Sequence, residues 1–287
     1  MLAQREDHQS TQHMLGWHAL VLSSLALLSV TREVDAHQIT EVRLGCLFPH
    51  QPRKFGRFAA VVMAVQEINS SPELLRGITL RLAARDSACD AVYALYGAHQ
   101  LAESSFSGSG VDAIIGAACS SASIAAADFL KLDHIPLVSP SSTSAALSDG
   151  VAYPYFARTA PSDAWQSFAL ADLVEHLLGV QRVATVNSED SYGSVGMLEF
   201  LREAERRNLN VRSSTTFANG QVDFSSNVKA LQKSTALVVV LFCQAADAKR
   251  FIKAVQTTLQ NITYVGSESV TSAVSSMITN SKQEAGR

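Results

Sequence analysis

The chain has 287 residues, 47% of them apolar and 17% charged, with a formal net charge of −3. That is enough chain for one large or two medium domains with real cores, and the composition is ordinary for a globular protein. The charge is close to balance and no basic cluster is longer than a pair such as Arg53-Lys54, which excludes nucleic acid as the expected partner.

Residues 1–36 read as a secretory signal peptide. Leu15 to Val30 is nearly all apolar, yet short of the roughly 20 residues a membrane span needs. Val34-Asp35-Ala36 offers a cleavage point near Ala36, as exported chains do. An uncleaved buried helix is the alternative reading. Four cysteines without a Cys-x-x-Cys pair lack the spacing for zinc or thioredoxin chemistry. Asn69-Ser70-Ser71 and Asn261-Ile262-Thr263 are glycosylation sequons. Both agree with an extracellular or membrane-associated location through the secretory pathway.

From Val42 onward the apolar period alternates between strand and helix. Val42 to Phe48 reads as a strand, and Phe55, Phe58, Val61, Val62, Val65 and Ile68 recur at helical spacing. Ile78 to Ala84 reads as strand, Ala91 to Ala102 as helix, Val111 to Gly116 as strand, Ile124 to Leu132 as helix and Ile135 to Val138 as strand. A second series follows Pro161: helix at Trp165 to Leu178, strand at Val183, helix from Tyr192, strand at Val211, helix at Val222, strand at Ala236 to Phe242, helix at Ala245 and strand at Ile262 to Val265. Alternating strands and helices imply an α/β fold with parallel sheets flanked by helices. The pattern divides into lobe one at 37–160 and a partial lobe two at 161–287, side by side with a cleft between them. The short second series is expected to leave strand edges open, so this chain alone should be poorly soluble or oligomeric.

Two strands end in hydroxyl clusters. Cys119-Ser120-Ser121 follows the strand ending at Gly116, and Ser139 with Ser141-Ser142-Thr143-Ser144 follows the strand ending at Val138. In an open parallel sheet, ligands bind beyond the carboxyl ends of the strands. A helix start there offers unpaired N–H groups that can hold a carboxylate without Lys or Arg. The plainer reading is that Ser120 or Ser121 only caps the helix.

Several segments, in order, resemble one family. Leu44-Gly45-Cys46-Leu47-Phe48-Pro49, Ala64 to Asn69, Gly116 to Ile124, Leu147-Ser148-Asp149, Tyr155 to Asp163 and Ser191-Tyr192-Gly193-Ser194-Val195-Gly196 carry the resemblance. Together they are similar to the ligand-binding region of class C G-protein-coupled receptors and natriuretic-peptide-type receptors. That region is a two-lobed type I periplasmic-binding-protein-like fold, often called a Venus flytrap. The resemblance implies a non-enzymatic receptor ectodomain that binds a small amino-acid-like ligand without a cofactor and signals by lobe closure. It also implies a transmembrane domain downstream of this chain and a homo- or heterodimer through lobe one. By resemblance, Ser120, Ser121, Ser142 and Thr143 would hold the ligand's carboxylate end. Asp163, Tyr192 and Glu268 would face its ammonium, and Cys89 and Cys119 would form a disulfide. Two departures matter. Ala59 falls where glutamate-selective members carry an arginine, with Arg57 two residues earlier, which argues against glutamate. Gly266-Ser267-Glu268-Ser269-Val270 lacks the family's aromatic wall.

A solute-binding protein feeding a transporter has the same fold, and the site alone does not separate it from a receptor. An enzyme is disfavoured, because neither G-x-G-x-x-G nor G-x-S-x-G follows a strand and no metal-ligand spacing is present.

Overall fold

A computed structural model describes residues 39–50, 55–103, 110–256, 258–259 and 261–274. The signal-peptide reading of residues 1–36 lies outside these residues. The first half runs β1 (Glu41–Phe48), α1 (Phe55–Ser70), β2 (Thr79–Asp86), α2 (Ala91–Glu103), β3 (Ala113–Gly116), α3 (Ser120–Leu130), β4 (Leu137–Ser139) and β5 (Phe156–Arg158). The second runs α4 (Asp163–Asp172), β6 (Arg182–Ser188), α5 (Ser191–Arg206), β7 (Asn210–Phe217), α6 (Ser225–Ser234), β8 (Val238–Phe242), α7 (Ala245–Val255) and β9 (Thr263–Gly266). This is the α/β architecture the alternating periods predict.

The strands form two sheets, ordered β2-β1-β3-β4-β5 and β7-β6-β8-β9. Every pairing is parallel, as between β1 and β3, where Leu44 meets Ala113 and Leu47 meets Gly116. Parallel pairing puts the carboxyl ends of all strands in a sheet on one edge, with loops and helix starts above them.

Burial follows the periods. Every residue of β8 is buried, which suits an unbroken Val-Val-Val-Leu-Phe run covered on both faces. Val239 and Leu241 pack on one side with Phe217, Phe224 and Phe251. Val238, Val240 and Phe242 pack on the other with Val174, Met197 and Phe200. The period of two thus sends alternate side chains into two cores. In the first sheet, Leu47, Ile114 and Leu137 meet Leu101, Ala122 and Leu130 from α2 and α3.

Three local features differ from the sequence reading. Helix α3 begins at Ser120 instead of Ile124. Its early serines are tolerated because Ser123 Oγ donates to Ala117 O at 3.2 Å, which satisfies the hydroxyl inside the fold. Strand β5 is too short, at three residues, to show a period, yet it pairs with β4 along Phe156–Arg158. The helix read across Trp165 to Leu178 changes to a π-turn at Leu173–Leu177.

Candidate functional site

The carboxyl ends of both sheets open onto a cavity of about 840 Å³. Its wall on the side of the first sheet includes Ala118, Cys119, Ser120, Ser141 and Thr143. Ala160 to Asp163 cross between the sheets, and Tyr192, Gln244 and Glu268 come from the second. The cavity therefore collects strand-to-helix loops, where a parallel sheet leaves backbone groups free for ligand.

The serine loops are built as a hydrogen-bonded cradle. Ser139 Oγ donates to Ala117 O at 2.6 Å and accepts from Ser142 N at 3.0 Å. Ser142 is fully buried and its Oγ lies 2.7 Å from Ser123 Oγ. Ser141 Oγ donates to Ala118 O at 2.9 Å. Arg158 ties the second loop down by donating to Ser144 O at 2.8 Å and to the Ser148 hydroxyl. Gly116 lets β3 run close to β1. Its φ is +136°, and a Cβ there would sit 2.3 Å from Leu47 O, so only glycine fits.

Cys89 and Cys119 are joined in a disulfide with Cα atoms 5.4 Å apart. The bond fixes the turn after β2 to the residue preceding α3. Cys119 takes the N-cap position of α3 and makes no side-chain cap bond. Neither Ser120 nor Ser121 is the cap, contrary to the plainer sequence reading. Ser120 Oγ instead accepts from Ser144 N at 3.1 Å, which locks the two hydroxyl loops together. The hydroxyl proton of Ser120 remains to be given to a ligand, and the first-turn N–H groups of α3 lack a side-chain acceptor. Thr143 Oγ1 is buried and has no hydrogen-bond partner.

Acidic groups line the crossing and the second-sheet side of the cavity. Asp163 opens α4 and is 2% exposed, with its N–H donating to Thr143 O at 2.8 Å. Burial, and then the charge of Glu268, push its carboxyl up to about 7. Tyr192 is buried, and its hydroxyl donates to both oxygens of Glu268 at 2.9 Å. Burial and the same carboxylate push the Tyr192 phenol upward, so it stays protonated.

Ser120, Thr143, Asp163, Tyr192 and Glu268 thus all line one cavity. Ser121 and Ser142 do not. Ser142 faces inward to Ala117 O, and Ser141 takes its place in the lining. The sequence reading named Arg57 only beside the Ala59 departure and passed over Trp165, Gln166 and Gln244; all four line the cavity. Arg57 and not Ala59 is the lining residue of α1. Its place in the first turn of a helix that starts beyond β1 was the available signal. Trp165, 73% exposed, brings an aromatic ring to the rim that Val270 does not supply.

Asn261 is exposed in the turn before β9. Asn69 has its side-chain amide bonded both ways to the Leu80 backbone, at 2.8 and 3.0 Å. Cys46 and Cys243 are free and buried. Burial pushes the Cys46 thiol up to about 11, and burial with Asp247 also raises that of Cys243. Both are therefore inert thiols at neutral pH.

A two-sheet α/β unit with a cavity at the strand ends is an architecture that ligand-binding receptor regions share with solute-binding proteins. The chain belongs to the receptor family: the model for the receptor family ligand-binding region matches residues 56–286. It is 31% identical to the metabotropic glutamate receptor of Drosophila melanogaster over 84% of this chain and 29% of that receptor. It is 32% identical to the extracellular calcium-sensing receptors of Homo sapiens and Sus scrofa over 70% of this chain and 20% of each receptor. The chain therefore spans less than a third of the length of these relatives. They are receptors and not enzymes. Among the described residues, no helix is long and apolar enough to cross a membrane.

Proposed function

We propose that this chain is the extracellular ligand-recognising part of a membrane receptor, and that it takes an acidic amino acid into the cleft and signals by closing its lobes on it. The observation that carries the reading is the layout of charge in one cavity. An uncapped helix start with Ser120 and Thr143 forms an anion subsite. Asp163 and Glu268, with Tyr192, form a cation subsite. Arg57 adds a guanidinium, a second anion subsite suited to a distal carboxylate, as planar forked donors are. A zwitterion with one extra carboxylate satisfies all three. The fly relative, named as a glutamate receptor, supports the same class of ligand. Closure follows from the site being shared: a ligand that bonds groups from both sheets favours the conformation in which they approach.

A thermal-shift panel of amino acids tests the reading. L-glutamate and L-aspartate should raise the unfolding midpoint more than L-alanine does. Saturation at a hundred times the dissociation constant corresponds to about 2.7 kcal/mol. Arg57→Ala should erase the preference for acidic over neutral side chains. Equal shifts for glutamate and alanine in the unaltered chain would remove the distal anion subsite from the proposal.

A further inference from the structure

Asp163 is a buried carboxylate whose Oδ2 meets no hydrogen-bond donor. The charged and titratable groups around it do not neutralise it. Glu268, opening the helical stretch 268–274, adds a second negative charge near it. Tyr192, in the first turn of α5, spends its hydroxyl proton on Glu268. Arg158 on β5 acts on it as a cation, yet its donors go to Ser142 O, Ser144 O and the Ser148 hydroxyl. Arg57 on α1 is a further cation of the cavity lining and is exposed. The start of α4 and the neighbouring Thr143 favour the anion, but neither offsets the burial of the carboxylate beside Glu268. Such a group holds its proton more tightly until a cation arrives.

We propose that Asp163 keeps its proton in a large fraction of ligand-free clefts at neutral pH and gives it up when the ligand's ammonium takes its place, so that binding releases protons. This deepens the amino-acid reading of the cleft and rests on it. The exchange balances: a neutral carboxylic acid and an ammonium become a carboxylate–ammonium pair and one proton in solvent. It makes the receptor a sensor of pH as well as of ligand. The carboxyl of the free cleft lies at about 7, so acidification below neutrality competes with the ligand. The sign for stability runs the same way. A carboxyl raised above its unfolded value of about 3.9 binds more protons when folded. The stability it contributes is present below about pH 4 and lost as pH rises through about 7.

Calorimetric titration with L-glutamate at pH 7 in phosphate and in Tris decides the matter. The two buffers take up a proton with different enthalpies. The apparent binding enthalpies should differ by the equivalent of about half a proton per ligand, and affinity should be about tenfold weaker at pH 6 than at pH 8. Glu268→Gln withdraws the neighbouring charge and should move the affinity change to lower pH. Asp163→Asn should flatten the ligand-free thermal midpoint, which falls between pH 5 and 8 in the unaltered chain. If that variant does not fold, the Glu268→Gln displacement assigns the proton. Saturable binding with equal enthalpies in both buffers overturns the exchange and leaves the amino-acid reading standing. No heat with L-glutamate overturns both.

Discussion

Ser120 and Thr143 stand side by side on the anion wall of the cleft, yet their hydroxyls are in different states. Thr143 Oγ1 has no partner. Ser120 Oγ accepts the N–H of Ser144 and so also holds the fold. Thr143→Ala should therefore weaken a carboxylate ligand by about 1–3 kcal/mol and leave stability unchanged. Ser120→Ala should weaken the same ligand by a similar amount and also cost about 1 kcal/mol of stability, because a buried N–H loses its acceptor. Titration of both variants with L-glutamate, beside their denaturant unfolding curves, separates the two roles. Equal stability loss in both would show that the Ser120–Ser144 bond has no structural weight. Ser142 illustrates the limit of reading a hydroxyl cluster from sequence. Its type and position matched a ligand contact, but the side chain is fully buried and its hydroxyl turns inward onto Ser123 Oγ and Ala117 O.

The elements themselves were legible wherever the period was long. All nine strands of the described residues except β5 lie on runs whose alternation or apolar continuity marks them, and β8 shows why. The apolar run Ala236 to Cys243 between Thr235 and Gln244 is short and rich in β-branched residues, which suits a strand covered on both faces. Boundaries were less legible. Helix α3 starts at Ser120, where Ala117 O and Ser144 N take up the hydroxyls of Ser123 and Ser120, and the Ser144 partner is remote in sequence. Arg57 was noted beside Ala59 but not placed in the site, since which side chain of the first turn of α1 reaches the cavity is set by how the helix packs. The pairing of Cys89 with Cys119 came from family resemblance, and geometry shows its purpose. It anchors the start of α3 to the end of β2 across 30 residues of sequence. Replacing both cysteines by serine should cost about 3–4 kcal/mol on the loop-entropy view. It should also weaken ligand, because the uncapped N–H groups would no longer be held in place. Guanidinium unfolding of the double variant checks the first, and a difference under 1 kcal/mol from the parent would show that the loop is ordered without the bond.

At the scale of the whole molecule, function depends on two sheets sharing one cavity. Each sheet has its own core: Leu47, Ile114 and Leu137 in the first, and Val239, Leu241 and Phe251 in the second. The anion wall belongs to the first, while Tyr192 and Glu268 belong to the second. On the proposed reading, a ligand that engages both walls gains most when they draw together, which would couple recognition to movement. Trp165 reports on that cleft directly. It is one of two tryptophans in the chain, and it lines the cavity with 73% of its surface exposed. The most direct measurement is tryptophan emission during titration with L-glutamate, with Trp165→Phe as the control. Binding and closure in this cleft predict a saturable emission change that disappears in Trp165→Phe and that needs about 5–150-fold more ligand in Thr143→Ala, the range equivalent to 1–3 kcal/mol. A curve for Thr143→Ala that superimposes on that of the unaltered chain, or no change in emission at saturating ligand, would contradict it.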